Sequence, residues 1–598
     1  MENKKQAIIL SGVAIVALLA LIIGATYAYF RASGNSGSNT DINVTTYTLD
    51  LLSFEMGSDI KINADQTSFA SGKGNATGST FAKAILTANN KTNTATKNYY
   101  MYLNISNNTF TYTQNENTPE LLLTITDVSG NAITSITGLT YKTVIDGKGT
   151  SVSGFDITTK SGLLTLFDNR EITASPTKTE EWNVTVTFVN YNVNQTGNAG
   201  KSFNAKLMIQ QEEYELTLAD ICAGKTLSDC VISQYTGTQG DNALYYHNST
   251  LTNGAGDNSY RYAGGDYVLT EAGKATGATM MIGYNNSVTT ALIDFYCNGT
   301  KQYVGYASSC STSHYYLIKG DTTQYQTYNE ALNASVEKGY LTKDNVKNFV
   351  CFGSDATTCP TENLYRIIGV FNNHVKLIKY DYAKSSLLGT DGDFSQEYTS
   401  NYFSGEQGES PSSNSLYYWN NAGTNTWSAS KLNTVNLNTN FTTNIGTAWA
   451  NKIATTTWKV GGGTYANLRD AVPKTAYQYE VGSSASTTTY DAKIGLMYVS
   501  DYYYSASPSA WTLVGYNSDY TKSYASAKGE NWLYGGGWDW TISRNSDYSD
   551  TAFGVISYGG VDYNFVYGNY GVRPSFSLLS STTYVSGSGS MSDPVRIN

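Results

Sequence analysis

The chain has 598 residues, of which only 14% are charged, and its formal net charge is −10. This balance argues against a nucleic-acid partner, because proteins that bind phosphate backbones present clusters of lysine and arginine. The 50 tyrosines outnumber the 38 lysines and arginines, a composition typical of β-structure and of recognition surfaces built from rigid amphipathic side chains. The chain is too long for one hydrophobic core, so we expect a multidomain protein that is mostly β.

An uncharged apolar segment, residues 7–30, follows Lys4 and Lys5. As a helix it would span about 36 Å, enough to cross a hydrocarbon core about 30 Å thick. The two lysines predict that the N-terminal end stays in the cytoplasm and that the rest is exported. Residues 1–30 are therefore a membrane anchor helix or a signal peptide cleaved near Ala28, and the sequence leaves both open. Residues 31–40, rich in Gly, Ser and Asn, form a flexible linker.

Residues 41–212 have the pattern of short strands with one buried face. Apolar and polar side chains alternate in two segments, 182–188 and 203–209. Turns rich in Gly, Asn, Ser and Thr separate such segments, and no helix-length periodicity appears. This pattern predicts a β-sandwich.

The segment Gly24–Phe30, GATYAYF, precedes this β-rich region. It resembles the export signals of the TasA/camelysin group of Gram-positive surface and biofilm-fibre proteins. The resemblance implies a jelly-roll-like sandwich, and for the fibre formers it implies assembly by insertion of a strand into the next subunit. A retained membrane helix would tether that strand, so self-association depends on whether the first segment is cleaved.

Six cysteines form three close pairs along the chain, Cys222/Cys230, Cys297/Cys310 and Cys351/Cys359. An even number in an exported chain favours disulfides. A zinc site is the alternative, but the chain has no C-x-x-C motif and its three histidines lack ligand spacing. Pairing in sequence order is one of the 15 connectivities that six cysteines allow.

Residues 213–354 are predicted to be a disulfide-stapled, loop-rich connector. A short helix is expected at 216–222, a second helix at 329–340, and a hairpin-like strand at 313–318. Turns rich in Gly, Tyr and Asn lie between them.

Residues 355–598 contain a more ordered series of predicted elements. Two strands, 363–371 and 374–379, flank an Asn372-Asn373 turn and predict a β-hairpin. A helix is expected to begin at 427–433 with Ser428 or Ser430 as its N-cap, and a strand is expected at 494–500. The segments 531–534 and 570–578 complete the series.

This order resembles a family of bacterial surface domains with the fold of formylglycine-generating enzyme. The matching segments are the Tyr-Arg-Ile-Ile hairpin, Trp-x-x-Ser-x-Leu-Asn, Leu-Met-Tyr-Val-Ser, Asn-Trp-Leu and the terminal Gly-Val-Arg-Pro. The resemblance implies a C-type-lectin-like α+β domain with long loops and a core of tryptophans.

Sequence motifs for catalysis are absent from the chain. No cysteine follows Cys359, so the copper-binding cysteine pair of formylglycine-generating enzymes has no counterpart in this domain. There is no Gly-x-Ser-x-Gly elbow, no EF-hand spacing and no phosphate-loop lysine after Gly461–Gly463. We therefore expect no enzyme activity, no metal and no cofactor. A glycan-active enzyme with paired carboxylates is kept as a second alternative.

Residues 534–570 alternate aromatic and short polar side chains with glycines that permit tight turns. Such a mixture is typical of binding surfaces, although the tryptophans and Phe553 could instead form the core. The predicted ligand-binding residues are Tyr534, Trp538, Asp539, Asn545, Asp547, Tyr548, Tyr558, Asp562, Tyr563, Asn564, Tyr567, Asn569 and Tyr570.

Together these features lead to one functional hypothesis and one main alternative. The first is a bacterial cell-surface binding or adhesion protein, on the extracellular face of the membrane or secreted. It would present a lectin-like surface to an extracellular protein or glycan and touch the bacterial membrane through its N-terminal helix. The alternative is a structural fibre or biofilm-matrix subunit that assembles through the sandwich.

Overall fold

The computed structural model describes residues 50–64, 74–89, 94–214, 216–283, 289–302, 310, 313–343, 345–398 and 414–598. The predicted N-terminal helix at 1–30, the linker at 31–40 and the start of the predicted sandwich lie outside the described residues. Among the described residues, no helix is long and apolar enough to cross a membrane. The fold is mostly β, as predicted, and it forms two compact units that divide between Glu213 and Tyr214.

The first unit is built from two antiparallel sheets. Its strands are β1 (Leu51–Met56), β2 (Ile60–Asn63), β3 (Ala76–Thr87), β4 (Ala95–Asn108), β5 (Leu121–Asp127), β6 (Tyr141–Ile145), β7 (Ser151–Asp156), β8 (Gly162–Ala174), β9 (Thr177–Phe188) and β10 (Ser202–Gln210). One sheet has the order β1-β3-β9-β5-β7-β6, and the other has the order β2-β10-β4-β8. The sheets have the sandwich-like character that the alternation predicts.

Alternation explains which side chains form the core of this unit. On β9, Trp182, Val184 and Val186 are buried, whereas Asn183 between them is exposed. On β10, Phe203, Ala205, Leu207 and Ile209 are likewise buried. Because successive side chains of a strand point to opposite faces, one face of each sheet is apolar.

The second unit has many short strands joined by long loops. Its strands are β11 (Leu244–Tyr246), β12 (Tyr260–Tyr262), β13 (Val268–Leu269), β14 (Met280–Ile282), β15 (Ala291–Cys297), β16 (Thr300–Gln302), β17 (His314–Ile318), β18 (Leu341–Thr342), β19 (Phe349–Cys351), β20 (Leu364–Phe371), β21 (His374–Lys379), β22 (Phe394–Tyr398), β23 (Asn414–Tyr418), β24 (Thr456–Lys459), β25 (Thr489–Ala492), β26 (Ile494–Gly495), β27 (Asp539–Arg544), β28 (Thr551–Val555), β29 (Val561–Phe565), β30 (Asn569–Tyr570), β31 (Ser575–Ser577), β32 (Tyr584–Ser586) and β33 (Arg596–Ile597).

Helices in this unit are short. They are α1 (Leu218–Cys222), α2 (Leu227–Ser233), α3 (Glu271–Ala275), α4 (Tyr328–Glu337), α5 (Ser385–Leu388), α6 (Thr442–Asn444), α7 (Thr447–Ala450), α8 (Pro473–Glu480) and α9 (Val499–Tyr504). A π-helical segment covers Leu432–Phe441. The 3-10 turns are Thr196–Asn198 in the first unit and Asp241–Ala243, Thr361–Asn363, Trp427–Ala429, Pro508–Thr512, Tyr520–Lys522 and Tyr524–Glu530 in the second.

The largest sheet of the second unit has the order β11-β12-β20-β21-β31-β26, with β19 beside β20. The predicted hairpin is confirmed as β20 and β21. Asn372 and Asn373 at its turn have φ of 49° and 63°, and a type I′ turn requires such positive angles. Because β12 and β19 pair with β20, this sheet crosses the predicted connector boundary at 354, and residues 214–598 form one compact unit.

Two other predicted elements differ from the structure. The strand expected at 494–500 ends at Gly495, and α9 begins at Val499. The buried Glu480 carboxylate accepts hydrogen bonds from the amides of Val499 and Ser500 at 2.9 and 2.8 Å, which satisfies the first turn of a helix. The helix expected from 427 begins as a 3-10 turn and continues as the π-helical segment. Ser430 is part of that junction, since its hydroxyl accepts a hydrogen bond from the Asn433 amide.

The cysteines form three disulfides in sequence order, Cys222–Cys230, Cys297–Cys310 and Cys351–Cys359. The disulfide prediction is confirmed, and the pairing that the sequence left open is resolved. Cys222 and Cys230 join α1 to α2 inside the main core of the second unit.

Candidate ligand-binding surface

The structure divides the thirteen predicted binding residues by exposure. Three of them are buried, and so do not contribute to an exposed surface: Tyr534, Asp539 and Asn545. Tyr534 donates its hydroxyl to the Ser557 carbonyl. Asn545 hydrogen-bonds to Thr551 Oγ1 at 3.0 Å. Each side chain thus has an internal partner instead of a free face.

Asp539 has a structural environment of its own. Arg573 forms an ion pair with it, the Nε–Oδ2 distance being 2.5 Å, and both side chains are almost fully buried. Burial raises the pKa of Asp539 to about 6, while the Arg573 charge opposes that rise. Its Oδ1 has no hydrogen-bond partner in the described part of the chain. The pair joins β27 to the segment before β31.

A second group of predicted residues is half-buried around one stacked aromatic pair. Trp538 stacks on Tyr570 with ring centroids 4.7 Å apart and an interplanar angle of 18°. Asn564 donates a hydrogen bond to the Tyr570 hydroxyl, and Asn569 lies in β30, which pairs with β23. The Tyr570 ring also contacts that of Trp540, with centroids 4.8 Å apart and an interplanar angle of 70°. Among the side chains for which a core position was the alternative, Trp532, Trp540 and Phe553 are buried, whereas Trp538 is half-buried.

The remaining predicted residues are exposed or half-buried. Two of them, Tyr548 and Tyr563, contact a side chain that was not predicted to bind a ligand, Tyr465. Tyr548 is 54% exposed, and its ring lies 5.7 Å from that of Tyr465. Tyr465 also lies 4.5 Å from the ring of Tyr563. Arg469 completes the group, which we call the tyrosine cluster: Tyr465, Arg469, Tyr548 and Tyr563.

Arg469 lies over two rings of the cluster, those of Tyr465 and Tyr563. Its guanidinium carbon is 4.9 Å from the Tyr465 ring centroid and 5.8 Å from that of Tyr563. It also pairs with Asp470 and with the predicted residue Asp562, at 2.8 and 3.4 Å. Burial, followed by the hydrogen bond to Tyr563, raises the pKa of Tyr465 above the usual range. The cluster is thus a set of phenol rings beside one cation, which can stack on a flat ligand and form hydrogen bonds at its edge.

Loop contacts hold Tyr548 and Tyr465 in place. The Nδ2 atom of Asn425 lies 2.6–2.8 Å from the carbonyl oxygens of Asn545, Tyr548 and Thr551. The predicted residue Asp547 accepts a hydrogen bond from the Tyr465 amide at 3.1 Å. The buried Asn425 therefore holds the loop of Tyr548, and the exposed Asp547 carboxylate connects that loop to the loop of Tyr465.

Gly462 allows the backbones of these loops to approach each other. It has a φ of 63°, and a Cβ atom there would lie 1.9 Å from the Arg544 carbonyl oxygen. A glycine is required at such a position. The glycine run before Tyr465 is thus explained by loop packing.

The β28–β29 hairpin presents further aromatic side chains. Phe565 and the predicted residue Tyr567 stack with centroids 5.1 Å apart, and they are 47% and 48% exposed. Tyr558, at the turn of the same hairpin, is 37% exposed. Exposed aromatic side chains are therefore concentrated between Tyr548 and Tyr567.

Sequence reasoning missed Tyr465, Arg469, Phe565 and Asn425. Tyr465 and Arg469 follow the glycine run at 461–463, which was considered only as a phosphate-binding loop. A glycine run that is followed within a few residues by Tyr and Arg was the available signal. No sequence signal pointed to Asn425, because it hydrogen-bonds to a loop more than a hundred residues away.

In the described residues, no group of three or more His, Cys, Asp or Glu side chains is placed to hold a metal ion. The chain matches no protein-family model, and no curated protein matches it. The geometry of its own side chains is therefore the basis for interpreting the site.

Proposed function

We propose that this chain is an exported cell-surface binding protein and that its second unit presents the tyrosine cluster to an extracellular ligand. One observation supports this most directly: Arg469 lies over the rings of Tyr465 and Tyr563, and the exposed Tyr548 ring lies beside Tyr465. The strand that carries Tyr563 ends at Phe565, which stacks on the exposed Tyr567. Exposed aromatics and arginine are the side chains that contribute most at binding surfaces. The three disulfides favour an oxidising compartment outside the cytoplasm.

We also propose a specific fold for each of the two units. The β20–β21 hairpin, the short helices and the long loops of the second unit support a C-type-lectin-like fold over residues 355–598. The six-stranded and four-stranded sheets of the first unit support a jelly-roll-like sandwich. Mass measurement of the mature protein from intact cells tests the export proposal, because it shows whether residues 1–30 remain attached.

Ligand binding can be tested with the purified full chain in detergent on arrays of extracellular proteins and glycans. The variants Tyr548→Ser and Arg469→Ser should each lose at least about tenfold in affinity for any ligand that is retained. Tyr479→Ser is a matched control, because Tyr479 is 38% exposed and lies on α8 outside the cluster. A ligand that binds all three variants like the wild type would refute the assignment of the site.

A specific feature of the first unit favours fibre assembly as a second candidate. The edge strands β1 and β6 expose Leu51, Met56 and Ile145, which are 63%, 46% and 59% accessible. Exposed apolar edges are able to pair with a strand of another chain. Electron microscopy of the concentrated protein should then show filaments, and Met56→Lys with Ile145→Lys should abolish them. Particles of single-chain size at every concentration would contradict this candidate.

A further inference from the structure

An open pocket of about 430 Å³ lies in the second unit, between the β20–β21 turn, β24, α8 and α9. This volume is within the usual range of small-molecule sites. None of its lining residues belongs to the tyrosine cluster, so it is a separate feature of the unit.

Two cations, Arg261 and Lys376, lie at the base of this pocket and are only 2% and 7% exposed. Lys376 Nζ donates to Asp501 Oδ2 at 2.5 Å. Arg261 Nη2 donates to Asp257 Oδ2 at 2.6 Å, and its Nε donates to Ser259 at 2.8 Å. Buried charges need partners because desolvation is costly, and each cation is hydrogen-bonded to one carboxylate.

Three of the four carboxylate oxygens of Asp257 and Asp501 accept hydrogen bonds from described residues. Asp501 Oδ2 also accepts from the Tyr498 amide at 2.9 Å. Asp257 Oδ1 accepts from the amide and the hydroxyl of Ser259 at 3.1 and 2.6 Å. Asp501 Oδ1, whose nearest cationic nitrogen is Arg261 Nη1 at 4.0 Å, is the carboxylate oxygen with acceptor capacity left.

Donors, in contrast, are in excess. Arg261 Nη1 lies 4.0 Å from Asp501 Oδ1, too far for a hydrogen bond, and within the described chain it has no hydrogen-bond acceptor. Lys376 uses one of its three N–H groups in the hydrogen bonds described above. Lys459, half-buried in the pocket wall, has no carboxylate partner among the residues that the structure describes. Three cations therefore face two carboxylates, and the excess favours an anionic ligand.

The walls of the pocket are aromatic, and hydroxyl and amide groups lie around them. Phe371 and Tyr477 are half-buried, and Lys376 Nζ lies 4.7 Å from the ring centroid of Tyr498. Asn372, Thr456 and Ser577 add polar groups to the lining. A ligand that matches these cations, aromatic walls and polar groups is a ring with an apolar face, several hydroxyls and one acid group.

We propose that this pocket binds a carboxylated sugar unit, such as a hexuronate. Its carboxylate accepts hydrogen bonds from Arg261 Nη1 and Lys376 Nζ, and Lys459 adds a third positive charge. The sugar ring packs against Phe371 and Tyr477. This site is independent of the tyrosine cluster and of the function proposed for it.

The test is isothermal titration calorimetry of the purified full chain in detergent with sodium D-glucuronate, using D-glucose as the uncharged comparison. Glucuronate should bind at least about tenfold more tightly than glucose, because glucose lacks the group that pairs with the two cations. Addition of about 0.5 M salt should weaken glucuronate binding. Equal affinity for the two sugars, or no binding of glucuronate at millimolar concentration, would overturn the proposal.

Two variants avoid the buried ion pairs and so preserve the fold. Lys459→Gln should weaken glucuronate binding about three- to tenfold, and Val481→Trp should abolish it by filling the pocket. Lys452→Gln is the matched control, because Lys452 is half-buried over the ring of Trp449 but lies outside the pocket. Glucuronate affinity that is unchanged in both Lys459→Gln and Val481→Trp would show that binding occurs elsewhere, which would overturn the proposal.

The sugar could be free or the end of a larger glycan. Oligosaccharides with glucuronate at the non-reducing end and with glucuronate inside the chain distinguish these sources. Binding of the terminal form supports glycan-end recognition, and binding of free glucuronate alone supports a soluble ligand at the same pocket.

Discussion

The two units of this protein use different means to specify a structure. The first unit has long strands whose buried residues alternate with exposed ones, as on β9 and β10. The second unit has short strands and long loops, and buried polar side chains such as Glu480, Asn425 and Arg573 hold these together. Packing of apolar faces suffices where strands are regular, whereas loops need hydrogen bonds to satisfy their backbone groups.

The largest expected effect is in the second unit. Arg573→Ala leaves the buried Asp539 without its ion-pair partner and should lower the free energy of unfolding by about 3–5 kcal/mol. Tryptophan fluorescence in urea can follow this unit, because Trp182 is the only one of the nine tryptophans before Tyr214. Asp539→Asn combined with Arg573→Met should lose less, since neither charge remains unpaired. A double variant that is less stable than Arg573→Ala would contradict this account.

Apolar packing in the first unit gives the next largest effect. Leu123→Ala removes a fully buried side chain of β5, opposite Val186, and should cost about 2–4 kcal/mol. Asn183→Ala, on the exposed face of β9, should change stability by less than about 0.5 kcal/mol. Hydrogen exchange of the β9 amides measures both. Similar losses in the two variants would show that the alternation does not define the core.

This contrast also explains what the sequence could predict. Alternation at Trp182–Phe188 and the Asn372-Asn373 turn depends on neighbouring residues, so both elements could be predicted. The start of α9 could not, because it depends on Glu480 reaching the amides of Val499 and Ser500 from another helix. Within the candidate site, the exposed tyrosines were predicted, but burial of Asp539 depends on Arg573, a distant partner.

The pH dependence of unfolding tests the role of the buried Glu480 in the second unit. Burial raises the pKa of Glu480 to about 7, above its usual value of 4.5. The folded state therefore binds more protons than the unfolded state between these values, so this group makes the second unit less stable as the pH rises from 4.5 to 7. The expected loss is on the order of 1–3 kcal/mol. In Glu480→Gln the free energy of unfolding should vary less across this range, and an unchanged pH dependence would refute the assignment.

Asn425 tests whether one polar side chain orders the loop of the tyrosine cluster. Asn425→Ala removes the donor that three loop carbonyls share and should cost about 1–2 kcal/mol. Hydrogen exchange at residues 546–551 should accelerate by about tenfold. Asn421→Ala is the control, because Asn421 is exposed in the same segment. Equal exchange rates in the two variants would mean that the loop is held by other contacts.

The smallest effect on stability is expected at Arg469. Its size distinguishes a tyrosine cluster that serves a ligand from one that supports the fold. Its ion pairs with Asp470 and Asp562 are partly exposed, and such pairs contribute about 0–1 kcal/mol. Its position over Tyr465 adds a similar amount. Arg469→Met should therefore lower the free energy of unfolding by about 1 kcal/mol or less. A loss above about 2 kcal/mol, comparable with that of Asn425→Ala, would mean that Arg469 supports the fold. The cluster would then be an extension of the core, because a surface kept for a ligand gains its energy on binding and contributes little to folding.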